Sequence, residues 1–187
     1  MSQYEVKFAG FGGQGIMTAG QLLAYTGINE GKHVAWIPSY GPEMRGGTAY
    51  CTVVVSDTRI GSPIINHPQA TCAFNLPSMT KFAPMIRPGG LLIINSSLID
   101  ARCERDDITE VLVPANDIAL KAGSPKVINM VILGTFVGIT EVVDFKNLRD
   151  TLGEKMGRKK ELLQINYKAI EEGYDLGVKA RQEKQTV

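Results

Sequence analysis

Apolar residues recur along this chain in two rhythms, short runs and stripes of about 3.6-residue period, and their alternation predicts an α/β fold. Residues 4–9 read as a first strand. Residues 14–30 carry Ile16, Ala19, Leu22, Leu23 and Ile28 on one helical face, Gly31 is placed to end that helix, and residues 33–37 read as a second strand. A β-α-β unit of this kind is expected to set its two strands side by side in parallel. The rhythm then changes. Residues 48–56 are rich in β-branched side chains, Asp57-Thr58 is a turn signal, and residues 59–60 are expected to return as a short strand, giving an antiparallel hairpin within the α/β chain.

Residues 71–76, 91–95 and 110–113 read as further strands, with Pro77 opening a helix that runs to residue 85. The last third reads as helical. Ser124-Pro125 starts a helix over residues 126–139, and Asp144 caps another that bears Phe145, Leu148 and Leu152. The final helix, residues 158–181, carries Leu163, Tyr167, Ile170 and Tyr174 on one face, which must pack on the domain or on another chain. No linker or repeat interrupts the pattern, so residues 1–187 are expected to form a single domain.

The candidate chemistry lies at the joints. Gly10-Phe11-Gly12-Gly13-Gln14-Gly15 links the first strand to the first helix, where backbone N–H groups approach an anion closely and the helix N-terminus adds positive potential. A tight turn without a ligand is the plainer reading of the same residues. An NAD site does not fit: the second strand ends at Ile37-Pro38-Ser39 without the carboxylate that would hold a ribose, and Glu43 comes too late. The strand leads instead into Ser39-Tyr40-Gly41-Pro42-Glu43-Met44-Arg45-Gly46-Gly47, a glycine-rich loop with one cation. Arg45 offers a fork of donors to phosphate or carboxylate, or else pairs with Glu43 to staple the loop. Tyr40 either stacks on a planar ring or packs. Asn95 closes a buried strand, at the end where ligands collect in open α/β sheets, with Ser96 and Ser97 after it as turn or cap residues. Asn129, in an apolar helix, is expected to bond backbone across a helix–loop contact.

Composition narrows the field. A formal net charge of +1 and no basic run longer than Arg158-Lys159-Lys160, read as a surface turn, give no reason to expect nucleic acid. The apolar stretch over residues 127–143 contains Asn129, Thr135, Thr140 and Glu141 and is too short and polar to span a membrane. Cys51, Cys72 and Cys103 are scattered and the only histidines are His33 and His67, so neither an iron–sulfur cluster nor a zinc site is supported. Reduced thiols and no visible signal peptide point to the cytoplasm. No nucleophile–base set emerges, and no catalytic or metal-ligating residue is assigned.

The two glycine motifs together, with Thr48, Asn75-Leu76-Pro77, Asn95-Ser96 and residues 129–134, resemble the gamma subunit of the 2-oxoacid:ferredoxin (or flavodoxin) oxidoreductases over residues 4–180. The resemblance implies a three-layer α/β domain with a central parallel sheet, a smaller antiparallel sheet and helices, like the third domain of pyruvate:ferredoxin oxidoreductase. It implies a complex with alpha, beta and delta subunits that decarboxylates a 2-oxoacid, passes electrons to ferredoxin or flavodoxin and releases an acyl-CoA. Thiamine diphosphate, magnesium and 4Fe–4S clusters are expected on the partner subunits. Coenzyme A is the co-substrate this chain would face, through Gly12, Gly13, Gln14, Gly15 and the loop Ser39, Tyr40, Gly41, Pro42, Glu43, Arg45, Gly46 and Gly47. Related single-chain enzymes carry lysines in that loop. Here Lys32 or Lys81, or other subunits, would have to supply the missing charge. The type most resembled is the 2-oxoglutarate one, which forms succinyl-CoA; pyruvate and branched-chain versions are close relatives, and a stand-alone nucleotide-binding enzyme using the glycine turn and a purely structural subunit are the rival readings.

Overall fold

The computed structural model describes residues 3–40, 48–157 and 160–185. Among these residues six strands form one mixed sheet: β1 (Gln3–Phe11), β2 (His33–Tyr40), β3 (Thr48–Ser56), β4 (Ala70–Ala73), β5 (Leu91–Asn95) and β6 (Thr109–Val113), in the order β2-β3-β1-β4-β5-β6. Among the described residues six α-helices accompany it: α1 (Ile16–Asn29), α2 (Leu76–Phe82), α3 (Ala115–Ala122), α4 (Ile128–Thr140), α5 (Phe145–Met156) and α6 (Lys160–Gln185). The α/β class stands, and parallel and antiparallel pairing are both present, joined in a single sheet.

The expected β1–β2 neighbourhood is corrected. β3 lies between them and pairs antiparallel with both, from Gln3↔Ser56 to Phe11↔Thr48 on one side and from His33↔Ser56 to Tyr40↔Ala49 on the other. The physical reason is burial, which belongs to the assembled sheet. Cys51-Thr52-Val53-Val54-Val55 is buried on both faces, which suits an interior strand and not the exposed arm of a hairpin. With both edges of β3 occupied, residues 59–60 form no strand. Because β3 reverses direction, β1 and β2 still run the same way, as do β4, β5 and β6.

Alternation along the strands divides the core in two. Val6, Phe8, Cys51, Val53, Val55, Cys72 and Ile93 face the layer that contains α1 and α4. Ala73, Leu92 and Ile94 face Met79, Ala83 and Ile86 of α2 and the 3₁₀ turn after it. The sheet is thus sandwiched between helices. α4 is buried along most of its length, as its apolar sequence predicts, and the face of α6 packs on it within this chain. Asp144 caps α5, accepting from the Asn147 N–H at 3.1 Å. α3 had no expected counterpart; Pro114 before it, Gly123 after it, and Ala115, Ala119 and Ala122 on its buried side are the signals that mark it.

Candidate functional site

Five strands, all but β3, end at one edge of the sheet, and the glycine turn, Tyr40 at the end of β2, Asn75 and Asn95 gather there. The turn is closed by its own atoms. The Phe11 N–H donates to Gln14 Oε1 at 2.7 Å, and the Gln14 N–H to the Phe11 carbonyl at 3.2 Å. Gly13 and Gly15 adopt φ of 97° and 76°, the left-handed region that favours glycine. Gly10 has no room for a side chain, since a Cβ would lie 2.5 Å from Gln14 Oε1 and 2.8 Å from Phe74 Cβ.

Gly15 is the N-cap of α1 and offers no side chain to it, and no acidic residue stands in the first turn. The N–H groups of Ile16, Met17 and Thr18 therefore reach no intrahelical acceptor, and the positive end of a 14-residue helix is open. It opens beside a cavity of about 270 Å³ lined by Gly12, Gly13, Gly15, Met17, Thr18 and Tyr40, among others. Asn129, buried on α4, donates from Nδ2 to the Gly15 carbonyl at 3.1 Å. This is the helix–loop contact expected of it, and it fixes the last residue before the helix.

Of the other candidates, Gly41, Pro42, Glu43, Arg45, Gly46 and Gly47 lie outside the described residues, as do Met44, Arg158 and Lys159. Tyr40 before that loop and Ala49 after it both line the cavity. Ser39 sits at the same strand end but alternates to the opposite face of the sheet from Tyr40. Asn95 is not brought into the cavity. It is fully buried, its Nδ2 donates to Asn116 Oδ1 at 2.9 Å, and its Oδ1 has no partner among the described residues. Ser97 accepts from the Asn116 N–H and donates to Asp117, a local cap of α3.

Lys32 is a correction. It lies at the far end of the sheet, donating to the Val142 carbonyl at 2.6 Å and pairing with Glu30, so it cannot serve the glycine turn. Lys81 lies on the α2 side, 5.5 Å from the centre of the Tyr50 ring, and Tyr50 is paired with Ser39. Buried Lys7 approaches the same ring, and burial, together with the neighbouring Lys81 charge, holds its ammonium below the usual lysine range.

The two buried cysteines, Cys51 and Cys72, are not nucleophiles. Burial pushes the Cys51 thiol up to about 12 and raises Cys72 as well, so both remain protonated hydrophobes near neutral pH. Among the described residues no group of three His, Cys, Asp or Glu could hold a metal ion, and no helix is long and apolar enough to cross a membrane. Sequence reasoning missed the role of Asn75, read as part of a strand. It caps α2, accepting from the Ser78 N–H at 2.9 Å, and its Nδ2 donates to Gln14 Oε1 at 3.3 Å. Asn before Leu-Pro-Ser was the available cap signal.

Known proteins resemble this chain in sequence and in fold. The ketoisovalerate oxidoreductase subunit VorA of Methanothermobacter marburgensis is 38% identical over 175 residues, covering 92% of this chain and 36% of its own length, so the chain spans little more than a third of that relative. The 2-oxoglutarate synthase subunit KorC of Methanocaldococcus jannaschii is 29% identical over 175 residues, 92% of each chain. The gamma subunit of a keto/oxoacid ferredoxin oxidoreductase from Geobacter sulfurreducens superposes with a TM-score of 0.82 at 27% identity, over 94% of this chain and 99% of that one. Residues 5–176 match the family model described as pyruvate ferredoxin/flavodoxin oxidoreductase, and the chain belongs to that family.

Proposed function

We propose that this chain is the gamma subunit of a 2-oxoacid:ferredoxin or flavodoxin oxidoreductase, and that it holds a phosphate group of coenzyme A at the glycine turn. The observation that carries the reading is the uncapped N-terminus of α1, opening on the cavity beside Gly12, Gly13 and Gly15. Three unused N–H groups and the helix dipole favour an oxyanion, and glycine lets it come close. The reading takes Ser39, Tyr40, Gly41, Pro42, Glu43, Arg45, Gly46 and Gly47 as further ligand-facing residues, with Arg45 as the cation among them.

Decarboxylation and electron transfer belong to thiamine diphosphate, magnesium and 4Fe–4S clusters on the alpha, beta and delta subunits. This chain binds and orients the acyl acceptor. The two glycine motifs suggest 2-oxoglutarate as substrate, whereas the 38% identity to the ketoisovalerate subunit favours a branched-chain 2-oxoacid. Dye reduction by the purified complex, with each 2-oxoacid in turn, decides between them.

Thr18→Asp in the assembled complex tests the phosphate site. A carboxylate in the first turn of α1 stabilises the helix but repels a phosphate. CoA affinity should fall about fivefold or more, since one charge-assisted contact contributes about 1–3 kcal/mol. An unchanged CoA affinity would overturn the assignment in favour of a purely structural subunit.

A further inference from the structure

The connections leaving β1 and β4 part at the sheet edge. From β1 the chain goes through α1 on one face toward β2, and from β4 through α2 on the other face toward β5. These two parallel neighbours therefore mark the point at which strand order reverses, the position at which open α/β sheets hold their ligands in a crevice beyond the strand ends. Gln14 comes from one loop and Asn75 from the other, and they meet across it.

Two backbone groups determine which way both amides point. A backbone N–H only donates. The Phe11 N–H at 2.7 Å therefore identifies its Gln14 partner as the oxygen, and the Ser78 N–H at 2.9 Å does the same for Asn75. Asn75 must then offer its NH₂ to Gln14, and the Gln14 oxygen takes both donors. What remains is Gln14 Nε2, on a half-buried side chain, with two hydrogens and no acceptor among the described residues.

We infer that Gln14 Nε2 donates to a phosphate oxygen of the ligand at the β1/β4 crevice, and that Asn75 is the positioning residue that keeps this donor end outward. The inference rests on the phosphate reading of the glycine turn. It extends that site from the cavity on the β2 side of the turn to the crevice on the β4 side, and it makes the ligand's acceptor oxygens a condition of recognition.

Asn75→Asp tests it in the assembled complex, read by calorimetric titration with coenzyme A and by thermal melting. Aspartate caps α2 as well as asparagine does but has no hydrogen to give Gln14. The Gln14 amide then loses the contact that orients it, and we expect CoA affinity to fall at least fivefold with the melting temperature held. The same change in a Gln14→Ala background should have no further effect. If affinity falls equally in that background, the new charge acts directly and the positioning role is overturned. If Asn75→Asp leaves affinity unchanged while Thr18→Asp weakens it, the phosphate site stands and this inference fails. If neither change weakens binding, both fail. A drop in melting temperature without a change in affinity assigns Asn75 to the fold alone and also overturns the inference.

Discussion

Between α4 and α6 the glycines make room, whereas between β1 and α1 they set backbone direction. Gly134 and Gly138 on α4 and Gly173 and Gly177 on α6 form a reciprocal ladder. A Cβ on any of them would run into a backbone carbonyl of the facing helix: those of Ile170, Tyr174, Val131 and Thr135 respectively. None of the four has a positive φ. In the turn the situation is reversed: Gly13 and Gly15 have φ of 97° and 76°, and what lies near them is open space or one side chain. In the seam a side chain would be rejected by backbone that cannot yield; in the turn it would be disfavoured by its own conformation. With the proposed coenzyme A site at the turn, seam substitutions are expected to act on stability alone and turn substitutions on ligand binding as well.

The largest effect is expected at the seam. In Gly173→Ala the methyl group would overlap the Val131 carbonyl, so the helices must part along a contact that buries most of α4. A loss of about 3 kcal/mol or more is expected, at the upper end of overpacking costs. Thermal unfolding of the isolated chain reads it, and complex that still assembles should bind CoA with ordinary affinity. If Gly173→Ala melts no lower than the turn variants, the comparison is wrong.

Gly15→Ala comes next and should act on both properties. The left-handed conformation costs an ordinary residue about 1–2 kcal/mol. The new Cβ would also lie 2.5 Å from Asn129 Nδ2, so the bond from Asn129 to the Gly15 carbonyl must break or move. That bond fixes the residue before the free N–H groups of α1, so CoA affinity should fall about tenfold, equivalent to about 1.4 kcal/mol. A stability loss with unchanged affinity would place Gly15 with the seam glycines, as a structural residue only.

The same contrast explains what the sequence disclosed. Local signals were legible: the strand–glycine–helix joint, the Asp144 cap and the apolar run of α4 each depend on residues within a few positions of one another. The place of β3 was not, because residues 48–56 look alike whether they pair with one strand or two. Only burial on both faces distinguishes the cases, and that is a property of the assembled sheet. At the site, the turn and its glycines were readable, but the Gln14–Asn75 contact joins residues 61 positions apart. Lys32 erred in the same way: nearness in sequence to the loop placed it at the site, yet an eight-residue strand carries it to the opposite end of the sheet.

The smallest effect, and the sharpest test of the contrast, is at Gly13. An added Cβ there has nothing within 4 Å, so sterics with neighbours drop out and only φ of 97° remains. Gly13→Ala should cost about 1 kcal/mol, and Gly13→Asn less, because asparagine tolerates positive φ better than alanine does. Melting temperatures of the two variants give the difference, and CoA titration of the assembled complexes gives the second axis. Equal thermal costs would mean that conformation is not what selects glycine at this position. If neither variant melts lower but both bind CoA more weakly, Gly13 is there for close approach of the ligand to the backbone, and the turn would have to be divided into a glycine that shapes it, Gly15, and a glycine that leaves it open, Gly13.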